Sequence, residues 1–203
     1  MEHAFELNAG RLCLDLANTV RSRPLSEKID LIGSYQDLLA WARQATILTA
    51  DEAATLGEAA HAQPRAAVGA LTQVRVLREA LYGLFSARAA GLAATPSDLR
   101  TINRAIGRAM TKAGLSPSAS GGFEWSWPDA PLDLDRVAWW VARSAAELLT
   151  SNDLTGVREC AGYDCGRLFL DGTKNRSRRW CDMATCGNRA KGRRHYERRR
   201  SSR

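Results

Sequence analysis

Cys160-Ala-Gly-Tyr-Asp-Cys165 and Cys181-Asp-Met-Ala-Thr-Cys186 are two close cysteine pairs separated by a basic spacer, Gly166 to Trp180. Each pair closes a tight loop, and a spacer of that length brings the two loops together. Four thiolates so placed suit a tetrahedral Zn2+ site with metal–sulfur bonds of ~2.3 Å, and a closed four-thiolate site is structural rather than catalytic. Two disulfides, free thiols and an iron–sulfur cluster are the competing readings. Gly162, Gly166 and Gly187 lie within or just after the pairs, where a chain wrapping a metal needs unusual dihedrals. The segment also needs a staple. Besides cysteine, its sizeable apolar side chains are only Tyr163, Leu168, Phe169, Leu170, Trp180, Met183 and Tyr196. So few do not offset an ordering cost of roughly 1.5 kcal/mol per residue, whereas structural zinc supplies ~10–16 kcal/mol.

Charge divides the chain at the same place. Residues 158–203 hold 14 Lys and Arg against 5 Asp and Glu, a net of +9, whereas residues 1–157 hold 15 against 17, a net of −2. Such density cannot be buried unpaired, so the basic tail points to an outside polyanion. Phosphate fits, because each contact releases condensed counterions. The candidate nucleic-acid contacts are Lys174, Asn175, Arg176, Arg178 and Arg179 between the pairs, with Asn188, Arg189, Lys191, Arg193 and Arg194 after them. Arg reads guanine and Asn adenine, although Asn175 and Asn188 also suit a turn or a cap. Trp180 suits either a base stack or the core of the zinc module. The tail after Cys186 reads as a basic helix weakened by Gly192, with His195 exposed or phosphate-facing.

The body before it reads as mainly helical with a little sheet. Leu12, Leu14 and Leu16 alternate and predict a strand containing a buried Cys13. Residues 21–33 read as a loop. Ser34 predicts a helix to Gln44, with Tyr35, Leu38, Leu39 and Trp41 or Ala42 inward. Thr49-Ala-Asp-Glu52 is a capping box opening a helix at Ala50. Residues 65–90 carry Val68, Leu71, Val74 or Val76, Leu77, Leu81, Leu84 and Phe85 at helical spacing, closed by Gly91. Thr95-Pro96 opens another helix to Lys112. Phe123 to Trp127 alternates and predicts a hairpin with residues near Leu115, broken by Pro128 to Pro131. A last body helix, from Asp133 or Asp135 to Thr150, turns Val137, Trp140, Val141, Ser144 or Ala145, and Leu148 inward. The expected domains are 1–153, α+β and mainly helical, and 154–203, a small zinc finger.

The longer pattern is Cys160, Cys165, Phe169, Asp171, Asn175-Arg, Arg178-Arg-Trp-Cys181, Met183 and Cys186-Gly-Asn-Arg189 with Lys191. It closely resembles the CGNR zinc finger. The body, with Leu14-Asp-Leu-Ala-Asn-Thr19 near its start, resembles the ABATE domain that precedes that finger. The resemblance implies a treble-clef-like finger holding one zinc on Cys160, Cys165, Cys181 and Cys186. It also implies a bacterial transcription regulator linked to stress, with Arg176, Arg178, Arg179, Asn188, Arg189 and Lys191 in its basic signature.

A basic finger on a neutral body suggests that the body senses a small effector or pairs two chains. Candidate effector contacts between its helices and short sheet are Arg11, Asp15, Asn18, Arg75, Arg78 and Trp125. The plainer reading makes Arg75 and Arg78 solvated and Trp125 core. No catalytic constellation emerges: His3, His61 and His195 lack a nucleophile or carboxylate partner in sequence, so the expectation is a non-enzyme. Without a basic leader or long apolar run, the expected location is the cytoplasm. DNA is the expected partner, with RNA or an acidic protein as the alternatives.

Overall fold

The computed structural model describes residues 5–127 and 133–201. His3, the side chain of His195 and the break expected at Pro128 to Pro131 lie outside the described residues. Helix starts follow the capping residues. Ser34 and Thr49 each accept the N–H three residues on, while Asp37 and Glu52 reach back. Both α2 (Tyr35–Gln44) and α3 (Ala50–Ala62) therefore open with capping boxes. The long α4 (Pro64–Ala89) ends where Gly91 takes a φ of +73°, which lets the Leu92 N–H return to the Ala87 carbonyl. Thr95 caps α5 (Pro96–Lys112). In α6 (Arg136–Leu149), Trp139 is buried and Trp140 only half-buried, meeting Trp127 edge-on at 4.6 Å.

The core lies among α4, α5 and α6, with the short α1 (Leu12–Ala17) packed against α4 and α6. The expected strand here is a helix, and the reason is burial on every side. Cys13, Leu14, Leu16 and Ala17 are all solvent-free, and a short apolar run of that kind carries no period that separates strand from helix. Cys13 is buried as expected, and burial pushes its thiol up to about 12. On α4, Leu71, Val74, Leu77, Leu81, Leu84 and Phe85 face inward, whereas Val68 and Val76 are exposed.

Residues 21–33, expected to be loop, contribute to a two-stranded ribbon of β1 (Val20–Arg21) and β2 (Ile29–Asp30), antiparallel. Arg78 of α4 holds it. Its guanidinium grips both Asp30 oxygens at 2.7 and 2.8 Å and reaches Thr19 and Glu79, and it is 4% exposed. Arg75 donates to the Ile32 carbonyl at 2.7 and 3.1 Å. Reading these two as solvated positions is thus corrected, since the paired carboxylate of Asp30 offsets the cost of burying Arg78.

The hairpin of β3 (Gly114–Pro117) and β4 (Phe123–Ser126) pairs Leu115 with Trp125. Its half-buried face carries Ser116 and Ser126, hydrogen-bonded at 2.7 Å, and its outward face carries Leu115, Pro117, Phe123 and Trp125. Trp125 is therefore not core. It lies beside the Arg143 guanidinium, which Trp140 flanks on its other ring contact.

The boundary expected at 153/154 lies in the 3-10 turn Asn152–Gly156, and contacts cross it freely. The ribbon of β5 (Val157–Glu159) and β6 (Leu168–Leu170) is antiparallel and packs on α4, with β6 also on α1. Val157 and Leu168 belong to the body's own core. Asn18 pairs with the Leu168 backbone as a strand would: its amide nitrogen donates to the Leu168 carbonyl at 2.8 Å, and its oxygen accepts the Leu168 N–H at 2.9 Å. The Leu170 N–H donates to Ala9 O at 2.8 Å. Tyr82 Oη lies 3.1 Å from Gly166 O and 3.2 Å from Glu159 Oε1, and Ser86 donates to the same carboxylate. Arg167, buried, is held by the Glu6 carboxylate and carbonyl and by Asn8. No helix among the described residues is long and apolar enough to cross a membrane.

Candidate metal centre and nucleic-acid interface

The first cysteine pair sits in the turn that joins β5 to β6. Cys160 N–H donates to the Arg167 carbonyl at 2.8 Å and Cys165 N–H to Gly162 O at 3.2 Å, closing the knuckle. Gly166 takes a φ of +64°, and a Cβ there would meet Pro24 Cδ at 2.9 Å, so the position admits only glycine. Gly162 and Gly187 lie outside the left-handed region, and their value is space: a Cβ on Gly162 would stand 3.0 Å from Cys165 Cβ, and one on Gly187 2.7 Å from Met183 Sδ. The second pair brackets a wide turn, Met183–Gly187, which runs into α7 (Asn188–Ser201). Asp182 accepts the Thr185 N–H at 2.7 Å and fixes that turn.

The four sulfurs are buried and lie within 4.8 Å of one another. Cys165 to Cys181 is 3.6 Å and Cys181 to Cys186 is 3.7 Å. A tetrahedron with zinc–sulfur bonds of ~2.3 Å has edges of about 3.8 Å, so one Zn2+ fits. A disulfide requires sulfurs ~2.05 Å apart, and a multi-iron cluster would spread its thiolates more widely. The crowded thiols share hydrogen bonds that lower the Cys160 pKa and raise those of Cys165 and Cys181, and Cys181 N–H donates to Cys160 Sγ at 3.3 Å. Arg189 Nη2 lies 3.3 Å from Cys186 Sγ. These residues hold one structural zinc, as two ligands from a hairpin knuckle and two from the turn that opens a helix. That is the arrangement expected of a treble-clef-like finger.

The ten candidate nucleic-acid contacts divide into two groups. Arg178 is an internal strut: its Nε donates to Trp180 O at 2.9 Å, its Nη2 to Cys181 O, and its guanidinium covers the Phe169 ring. Arg189 pairs with Asp164 at 2.8 Å. Arg176, at a φ of +44°, reaches Thr155, and Asn188 caps back onto Ala184 O at 3.0 Å. Of these four only Arg178 is half-buried, the other three being exposed, as are the remaining six, Lys174, Asn175, Arg179, Lys191, Arg193 and Arg194. Arg179 lies over Trp180 and Arg193 over Tyr163. Trp180 packs on the cysteine cluster, as its core reading expected.

The sequence pattern includes Asp171 but gives it no role. This buried carboxylate organises the loop between the pairs, accepting the Thr173 N–H, the Thr173 hydroxyl and the Arg178 N–H. Burial raises its pKa, but the hydrogen bonds from Thr173 and Arg178 outweigh this and leave it lowered. Its place in the Asp171-Gly-Thr-Lys-Asn175 run, where Asx turns are common, was the available signal.

The six candidate effector contacts do not converge. Arg11 pairs with Asp153, Asn18 holds β6, Arg75 and Arg78 hold the β1–β2 ribbon, and Trp125 faces outward. Asp15 accepts the Ala9 N–H at 3.0 Å, and burial raises its pKa to about 6 from 3.8. A carboxyl raised on folding binds an extra proton in the native state between those values, so stability falls as pH climbs through that window. Asp15→Asn, which keeps an acceptor for Ala9, should flatten this slope and raise stability at pH 7 by an amount on the order of 1–3 kcal/mol. Urea titrations at several pH values check it, and a variant as pH-sensitive as the parent would refute it.

Two family profiles match the chain. Residues 10–152 match ABATE, described as "Putative stress-induced transcription regulator", and residues 157–199 match the CGNR zinc finger. No curated protein matches the sequence. The two matches meet at the turn Asn152–Gly156, on either side of the seam described above. With most of its length matched and four cysteines gathered as that finger requires, the chain belongs to the ABATE family and ends in a CGNR zinc finger.

Proposed function

We propose that this protein is a non-enzymatic, DNA-binding transcription regulator. In this reading the finger contacts duplex DNA and the body supplies the regulation, by sensing an effector or pairing two chains. The observation that carries it is the exposed basic face of the finger. Lys174 and Arg179 on the loop between the cysteine pairs, and Lys191, Arg193 and Arg194 on α7, are exposed, and none is ion-paired among the described residues. Cations left without carboxylates on a rigid scaffold await an external anion. The regular charge spacing of a phosphate backbone rewards several such contacts at once. The metal fixes the loop and the helix N-terminus against each other, so the charges are held in place before contact. Arg178, half-buried against Phe169, and Arg189, in a surface pair with Asp164, act as positioning residues.

The test is fluorescence anisotropy with zinc-loaded protein, genomic duplex fragments and total RNA, at two salt concentrations. Duplex binding should exceed RNA binding and weaken steeply with salt. Arg193→Ala and Lys191→Ala should each weaken binding and lower the log–log salt slope by ~1. Failure to bind any duplex at low salt would overturn the proposal. A preference for single-stranded RNA would replace DNA with RNA as the target.

A further inference from the structure

A cleft of about 190 Å³ opens in the body between α4, α5 and α6. It shares no residue with the six sequence candidates. Val76 and Leu77 of α4, Ala105 of α5, and Ala138 and Trp139 of α6 supply its apolar surface. Its volume is close to the ~150 Å³ of an apolar cavity that takes up benzene. Its polar lining is unevenly charged. Arg104 and Arg108, one helical turn apart on α5, also line it, as does Asp135 at the start of α6.

Both arginines are exposed at the rim. Arg104 has no hydrogen bond or ion pair with another described residue, and Arg108 reaches the neutral amide of Gln73 and lies within electrostatic range of Asp135 alone among the carboxylates of the lining. The Asp135 side chain leaves the α6 N-terminus uncapped, and that end carries the positive pole of the helix dipole. The cleft thus combines a benzene-sized apolar floor, two guanidiniums at its rim and a helix N-terminus, with one carboxylate, Asp135, set against them.

We propose that this cleft binds a small organic carboxylate with a compact apolar body, such as an aromatic or short branched acid. The apolar part seats against Leu77, Ala105 and Trp139, and the carboxylate meets Arg104 and Arg108. The inference deepens the regulatory half of the function proposed above and rests on it only for its purpose. Binding is measured without nucleic acid, so its failure would leave the DNA reading standing, and loss of DNA binding would leave the cleft standing.

The probe is benzoate, with hexanoate as a second acid and benzyl alcohol as the neutral control. Ligand-observed NMR and calorimetry on the full-length, zinc-loaded protein give the affinities. Benzoate or hexanoate should bind one site per chain, about tenfold or more tighter than benzyl alcohol. Arg104→Ala and Arg108→Ala should each cost roughly tenfold, the range expected for a charge-assisted hydrogen bond. Ala138→Leu, checked for native circular dichroism, should abolish binding by filling the floor. Asp135→Asn should tighten binding by removing the opposing charge. No saturable binding of either acid, equal binding of the neutral control, or weaker binding by Asp135→Asn would each overturn the proposal. The last would instead indicate a ligand whose own cation needs Asp135.

Discussion

Stripping zinc from the full-length protein should abolish the order of the cysteine knuckle and of residues 181–201, and leave β6 and most of the body folded. The expected size follows from the site. Structural zinc contributes ~10–16 kcal/mol of apparent binding energy, and among the described residues the finger's own buried cluster is the cysteines with Phe169, backed by Trp180. Without the metal, the four sulfurs, within 4.8 Å of one another, lose the ligand that holds them together. Amide protection should therefore vanish from the knuckle, from Met183–Gly187 and from α7. The body should lose less, because Leu168 and Val157 retain their own apolar contacts. Purified protein should contain one zinc per chain, and Cys181→Ser should reproduce the effect of a chelator. Unchanged amide protection across residues 160–190, in protein shown by elemental analysis to be metal-free, would sink this account.

Asn18→Ala should be strongly destabilising although it removes a single polar side chain. The amide makes two buried hydrogen bonds, both to the backbone of Leu168. Removing it strands a peptide N–H and a peptide carbonyl, each at about 1–3 kcal/mol. The expected loss is about 2–4 kcal/mol, a fall in melting temperature of roughly 5–15 °C for a chain of this size. Zinc affinity should weaken too, since β6 leads directly out of the knuckle. Asn18→Ser, which restores one short-range donor and acceptor through water, should recover part of the loss. A melting temperature within error of the parent would mean that the two units are held together elsewhere.

Much of this molecule is legible in its sequence because the signals are local. Ser34, Thr49 and Thr95 announce their helices within three residues, and the cysteine spacings state the metal site outright. What escapes is non-local. Leu12 to Ala17 carries too few residues to show a period, and its surroundings on α4 and α6 decide its form. Arg78 looks like a solvated helix position until Asp30, 48 residues earlier, is brought beside it. Asn18 meets a strand 150 residues away. The basic signature is visible as a set, but its division into struts and exposed cations depends on carbonyls and rings that only the folded finger places.

The seam between body and finger also fixes the order in which the chain can finish folding. Helix α1 is synthesised well before the finger, yet the Asn18 amide that follows it and the pocket for Leu168 remain open until the finger has emerged. Contacts of such long separation form late, because chain closure must come before they stabilise anything. On the ribosome, the nascent body must therefore wait with part of its apolar interior exposed. A chaperone, or rapid loading of the metal, would then govern yield more than the body's own helices do.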